Sequence, residues 1–262
     1  MRITFLGAGR MGSWLARKLA AAGHEVAAYD TEPRRVGALA TDGVRPLDSL
    51  EALAGTSPQL LVNAVNLAGT VAAFRSVAPL LDPGCALADL ASVKADIAAY
   101  YRGCGRRFAS VHPMFGPTFA DLQRSELSQE NAILIQESDP ETVGVFRALF
   151  ERLGLRLFQY SFDEHDQMMA YSLTTPFASS LVFAACIDDT VVPGTSFARH
   201  LRTARGLLSE DDELLTEILF NPRSLAQLAA IRSRLELLER VIRDRDGEEL
   251  RAFLRRLRGN LA

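Results

Sequence analysis

Two short segments carry residue types that can move a proton. The first is Asp89-Leu90-Ala91-Ser92-Val93-Lys94, and the second is Ser110-Val111-His112-Pro113-Met114-Phe115-Gly116-Pro117. An imidazole titrates near neutral pH, so His112 suits a proton leaving a hydroxyl whose carbon gives up hydride. Ser92 beside it would orient that hydroxyl and the ring. A third segment, Gly7-Ala8-Gly9-Arg10-Met11-Gly12, is a GxGxxG run placed between an apolar stretch and a helical pattern. Its first glycine permits a tight turn, its second lets backbone N–H groups approach a pyrophosphate, and its third lets helix and strand pack closely. Asp30 ends the next apolar run, 18 residues after Gly12. That is near the spacing of an acid that accepts from a ribose 2′-OH. An acid there repels a 2′-phosphate, so NAD is expected over NADP, with Arg34 and Arg35 close enough to soften the preference.

These residues need a scaffold. Over the first 160 residues, short β-like runs alternate with helical segments, which is the pattern of a doubly wound α/β sheet of Rossmann type. RITFLG, HEVAAYD, LLVNAV, CALADL, RFASVHP and NAILIQ read as strands, and LRLFQYS as a last, edge strand. DPETVGVFRALFERLG reads as a helix opened by Asp139, with Pro140 in its first turn and Gly154 at its end. In an open α/β sheet the carboxyl ends of the strands face the ligand crevice, so Ser92 and His112 are both expected to point at the nicotinamide. After Ser161 the periodicity is helical, broken at Val192-Pro193-Gly194 and Asn221-Pro222. The expected organisation is a dinucleotide-binding domain over 1–160 and an all-helical domain over 161–262.

Leu225, Leu228, Ile231, Leu235, Leu238 and Ile242 form one apolar helical stripe. It reads as core of the helical domain, as the seam of a homodimer, or as both.

Composition narrows the function classes. The chain has 262 residues, 48% hydrophobic and 23% charged, with a net charge of −3. These values fit a globular protein and argue against nucleic acid as the main partner. The longest nearly apolar stretch, Phe177–Ile187, falls well short of the ~20 residues of a membrane span. The start, MRITFLGAG, turns straight into glycines and does not read as a secretory signal. Cys85, Cys104 and Cys186 are too scattered for a disulfide framework or a metal site. A cytoplasmic location with no metal is therefore expected. Of the 29 basic residues only Lys18 and Lys94 are lysines, so nothing beyond Lys94 can supply a catalytic amine.

SVHPMFGP, DLASVK, GAGRMG and EHDQMMA (164–170) together resemble the prephenate/arogenate dehydrogenases of tyrosine biosynthesis, over nearly the whole chain. The resemblance implies a nucleotide-binding domain followed by a helical dimerisation domain. It also implies NAD-dependent oxidative decarboxylation of a small cyclohexadienol, prephenate or arogenate. His112 matches the catalytic histidine on the ring hydroxyl. Ser92 matches the serine that touches that hydroxyl and the cofactor, and Arg202 matches the arginine on a substrate carboxylate.

One departure stands out. Many members carry a second histidine in the first long helix of the helical domain. Here that stretch is Ser172-Leu173-Thr174-Thr175-Pro176-Phe177-Ala178, with Pro176 roughly in its place. The choice between keto acid and amino acid substrate is left open, and Pro176 is expected to kink the helix. His200 reads as a helix-surface residue, His24 as a turn residue, and His165 as a supporting residue near a helix start.

Two rivals are weighed against this. β-Hydroxyacid dehydrogenases and imine-type reductases share the plan, but the hydroxyacid group uses a lysine in the helical region. A non-enzymatic NAD(H)-sensing protein would keep the glycines and Asp30, with no need of Ser92, His112 and Arg202 together.

Overall fold

The computed structural model describes residues 1–115, 130–188 and 192–260. Gly116 and Pro117 of the second motif lie outside the described residues. Backbone contacts divide the chain into two compact units, 1–168 and 169–262.

The first unit is built on one eight-stranded sheet of order β3-β2-β1-β4-β5-β6-β7-β8. The strands are β1 (Arg2–Leu6), β2 (Glu25–Tyr29), β3 (Val44–Pro46), β4 (Leu60–Asn63), β5 (Ala86–Asp89), β6 (Phe108–Pro113), β7 (Asn131–Ile135) and β8 (Arg156–Tyr160). β1 to β6 pair in parallel, β7 is antiparallel to β6, and β8 is parallel to β7. The order 3-2-1-4-5-6 is the dinucleotide-binding arrangement, with its topological switch between β1 and β4. The parallel strands are short apolar runs because helices cover both faces of such a sheet. In β4 and β5 every residue is buried.

The helices of this unit are α1 (Arg10–Ala21), α2 (Pro33–Gly37), α3 (Thr70–Val77), α4 (Ala95–Cys104), α5 (Pro140–Leu153) and α6 (Phe162–Met169). α5 starts where its sequence says it should. Asp139 caps it by accepting from Thr142 N–H, Pro140 fills the first turn, and Gly154 ends it at φ 81°. Leu15, Leu19, Phe146 and Phe150 pack into the sheet core with Phe5, Val62 and Leu134.

The second unit holds α7 (Thr175–Ala185), α8 (Thr195–Leu207), α9 (Asp212–Leu219), α10 (Ser224–Arg243) and α11 (Gly247–Gly259). Pro176 does not break the chain's helical course. Residues Ala170–Thr174 instead form one π-helical turn immediately before α7, with Pro176 in the first turn of α7. Proline has no N–H to return to residue i−4, and a widened turn absorbs that missing bond.

The run Phe162–Ala185 is 24 residues long with a mean hydropathy of 1.2 over its best window, enough by length and composition alone to cross a membrane. Its first turns, however, carry His165 and Asp166, which are hydrogen-bonded into the α/β unit.

The apolar stripe differs from a core face. Leu225, Leu235 and Ile242 are 77%, 55% and 61% exposed. α10 turns Ser224 and Val241 inward, with Ile231 and Leu238 half-buried. Ser224 is pinned there by a 2.8 Å hydrogen bond between its hydroxyl and that of Thr174.

Candidate active site

The glycine-rich loop joins β1 to α1, and each of its glycines has its own physical reason. Gly7 has φ 88°, and a Cβ on it would lie 2.8 Å from the Ala64 backbone at the end of β4. A Cβ on Gly12 would lie 2.3 Å from Gly7 O. Both are required by packing within the protein. Gly9 is different, because a Cβ there meets nothing within 4 Å. α1 begins on Gly9 with no side-chain cap and no acidic residue in its first turn. Uncapped N–H groups at a helix start, beside a glycine with open space where a side chain would lie, are what a pyrophosphate requires. Ala8 is buried and Arg10 exposed, with Met11 between these extremes.

Asp30, just past β2, is 7% exposed. Its Oδ2 accepts from Ala8 N–H at 2.7 Å and its Oδ1 from Glu32 N–H at 2.8 Å. The acid therefore braces the loop, and each oxygen keeps a lone pair for a further donor. Arg35 Nη1 approaches Asp30 Oδ1 at 3.6 Å and Arg35 Nη2 donates to Glu32 at 3.0 Å, which draws that arginine's charge toward the acids.

His112 lies near the C-terminal end of β6 and is 8% exposed. Burial first, then His165 and the Lys94 ammonium, hold its pKa well below the usual value. Its Nδ1 is 3.0 Å from His165 Nε2. His165, fully buried on α6, has its Nδ1 2.9 Å from Asp166 Oδ1.

Asp166 Oδ1 also accepts from Lys94 N–H at 2.7 Å. The Lys94 ammonium, itself fully buried, donates to Asp89 Oδ2 at 2.5 Å and to Val111 O at 2.9 Å. Tyr101 O–H donates to Asp89 Oδ1 at 3.1 Å, and Ala91 N–H donates to Asp89 Oδ2 at 2.9 Å. Lys94 thus ties the β5–α4 loop to the residue preceding His112. A charge removed from water this completely is tolerable only with such partners.

Ser92 sits half-buried in that same loop, between the anchored Asp89 and Lys94. It makes no hydrogen bond to His112 among the described residues. Arg202 stands exposed on α8 of the helical unit, with no ion pair among the described residues. His200, also exposed, uses Nδ1 on Ser196 O at 3.1 Å and lies against the Phe183 ring.

The α/β unit therefore brings together Gly7, Ala8, Gly9, Gly12 and Asp30 at one place, and His112 with Lys94, Asp89, His165 and Asp166 at another. The sequence placed His165 beside Asp166 near a helix start in a supporting role, and it assigned Lys94 no role. The signal available for Lys94 was its place five residues after Asp89 in the same strand-end motif, the acid with which it pairs.

A mostly parallel α/β sheet with a glycine-rich first turn, followed by a helical unit, defines a dinucleotide-binding fold of Rossmann type. Residues 2–102 match the family profile described as the NAD binding domain of 6-phosphogluconate dehydrogenase. Among solved structures the chain is similar to prephenate dehydrogenase from Aquifex aeolicus in complex with hydroxyphenyl propionate and NAD+. That match has 18% identity over 99% of this chain and 96% of that one, with a TM-score of 0.83. The Synechocystis arogenate dehydrogenase matches at 22% identity over 99% and 98% of the two chains, with a TM-score of 0.79. A 3-hydroxyisobutyrate dehydrogenase from Mycobacterium tuberculosis matches at 16% identity over 87% and 94%, with a TM-score of 0.54. A search of curated protein sequences returns no match. At these identities the likeness establishes the fold, which is a Rossmann-type unit with a helical C-terminal unit.

Proposed function

We propose that the protein is an NAD-dependent dehydrogenase that oxidatively decarboxylates prephenate to 4-hydroxyphenylpyruvate in tyrosine biosynthesis. The observation that carries the reading is His112, buried at the C-terminal edge of the same parallel sheet whose first turn is the glycine loop. Gly7, Ala8, Gly9, Arg10, Met11 and Gly12 would hold the pyrophosphate and Asp30 the adenosine ribose. NAD+, when bound, supplies a hydride acceptor. The His112 imidazole takes the proton of the ring hydroxyl as its carbon becomes a carbonyl and the ring carboxylate departs as CO2. Ser92, on the loop that Lys94 anchors, orients that hydroxyl. Arg202 is assigned to a substrate carboxylate, and the absence of an acidic partner among the described residues leaves its guanidinium free for one.

The second reading is arogenate as substrate, giving tyrosine directly. It is favoured by the likeness to an arogenate dehydrogenase, whereas Pro176 in place of a second histidine leaves the choice of substrate side chain open.

The exposed Leu225–Ile242 stripe supports a homodimer formed through the helical unit, because so much apolar surface on one helix calls for a partner. The hydrogen bonds of His165 and Asp166 within the α/β unit argue against a membrane span over residues 162–185, and the scattered cysteines fit a reducing cytoplasm.

Steady-state kinetics on prephenate and arogenate with NAD+ and NADP+ test the reading. Prephenate with NAD+ should give turnover at 340 nm, with kcat/KM at least about tenfold above NADP+, a difference of ~1.4 kcal/mol. No turnover with either substrate would leave the sensor reading. Arg202→Gln should mainly raise KM, and sedimentation at micromolar concentration should give a dimer.

A further inference from the structure

His112 and His165 of the α/β unit are joined in a way that settles which nitrogen of each carries hydrogen. We propose that His165 and Asp166 are positioning residues that fix the tautomer of His112 and leave its Nε2 as the proton-accepting atom. The deduction starts at Asp166. Its Oδ1 accepts from the Lys94 backbone N–H at 2.7 Å and lies 2.9 Å from His165 Nδ1. An acceptor oxygen requires that Nδ1 carry the hydrogen. A neutral imidazole has one N–H, so His165 Nε2 is a bare lone pair. It can only accept, and the atom 3.0 Å away is His112 Nδ1. His112 must therefore be the Nδ1–H form, with Nε2 free.

The surroundings favour the neutral rings that this deduction needs. Burial is the largest influence lowering the pKa of His165, with the Asp166 hydrogen bond opposing it. Among the described residues, the charged and titratable groups around the pair are Asp89 at the end of β5, Lys94 before α4, Tyr101 on α4 and Asp166 on α6. The Lys94 ammonium, with Asp89 and Val111 O as its acceptors, is a fixed positive charge that opposes a second one nearby.

The same chain serves the proton's next position. When Nε2 of His112 takes a proton, its Nδ1–H already points at His165 Nε2, and that proton can pass across the 3.0 Å bond. His165 would then carry the charge beside the Asp166 carboxylate. No other bond changes, and deprotonation runs the same path backwards. The role in turnover rests on the dehydrogenase reading above, whereas the tautomer does not.

The test uses the full-length protein labelled with 15N-histidine, whose four rings, His24, His112, His165 and His200, are few enough to assign individually. Long-range 1H–15N spectra at pH 7.5 without substrate should show His112 protonated at Nδ1 and bare at Nε2. Asp166→Asn should leave both tautomers as they are, because its amide oxygen must stay on the Lys94 N–H and there still accepts from His165 Nδ1. Asp166→Leu, which removes that acceptor, should release both rings from a fixed tautomer, and kcat should fall tenfold or more with KM within twofold. His165→Phe, which removes the acceptor, should lose kcat similarly. His165→Gln, whose amide oxygen can still accept from His112 Nδ1, should recover most of it. Finding His112 protonated at Nε2 in the unsubstituted protein would overturn the proposal whatever the turnover. Equal kcat for His165→Phe and the unsubstituted protein would do the same. The expected tautomer with no prephenate or arogenate oxidation would defeat the dehydrogenase reading and leave the positioning role standing.

Discussion

The α/β unit and the helical unit differ in where they keep charged groups and apolar side chains. The first buries Lys94, Asp89, His165 and Asp166 and satisfies them in one network. The second exposes Leu225, Leu235 and Ile242 while its ion pairs, such as Arg240–Glu249 and Arg232–Glu236, lie on the surface. Buried polar groups are strongly interdependent because each loses water and depends on its neighbours. Surface pairs exchange one set of partners for water at little cost. The difference teaches where single substitutions should matter most, and it is open to attack at each end.

The largest effect is expected at the chemical end of the network. His112→Asn should lower kcat by about 10²–10⁴ while NAD+ affinity stays nearly unchanged, because in the function proposed above the imidazole acts on a proton that moves only in the transition state. A folded variant with near-normal kcat would remove His112 from the chemistry. Lys94→Met follows, with an expected loss of ~3–5 kcal/mol in urea unfolding, since it strands the Asp89 charge in the interior. A loss below about 1 kcal/mol would mean that the network relaxes and is not interdependent.

Much of the α/β unit can be read from local pattern. The Asp139-Pro140 start and Gly154 stop of α5 need only neighbours in sequence, as do the glycine turn and the strand that ends at Asp30. β3 escapes because three residues, Val44–Pro46, are too few to show a period. The Lys94–Asp166 contact spans 72 positions and His112–His165 spans 53. No periodicity reports a pairing of that kind, so the support of the site stays hidden although His112 itself is visible. The stripe on α10 shows the complementary limit. Spacing reveals that six apolar residues share a helix face, but not that α10 packs through Ser224 and Val241.

The glycine loop sharpens the comparison, because it separates packing from binding within one motif. Gly12→Ala should cost ~1–3 kcal/mol, since its Cβ would stand 2.3 Å from a backbone oxygen that cannot swing away. Gly9→Ala should cost less than ~1 kcal/mol, a helix-cap effect at φ −63° that alanine tolerates, while weakening NAD+. Equal stability losses would contradict the division of labour.

Acid should find the buried histidines next. His112 and His165 are held below their usual values chiefly by burial. Below pH ~6.5 the unfolded chain takes up protons that the native rings refuse, so stability is fullest above that pH and falls as pH drops. The slope approaches ~1.4 kcal/mol per group per pH unit until the folded-state values are reached. Urea midpoints at pH 7.5 and 5.5 measure it, and His112→Asn should flatten the slope.

The smallest effect belongs to the helical unit. Arg240 Nη2 lies 2.7 Å from Glu249 Oε1, linking α10 to α11, yet the two side chains are 53% and 34% exposed. Water competes for both ends, and ordering two long side chains costs entropy that the attraction barely offsets. Arg240→Ala should therefore lower stability by less than ~1 kcal/mol, and 1 M NaCl should erase most of that difference by screening. The measurement belongs at one fixed protein concentration, because any association through the exposed stripe makes stability depend on it. A salt-insensitive loss as large as that of Lys94→Met would show that this pair is shielded from water, and the contrast between the two units would fail at the helical end.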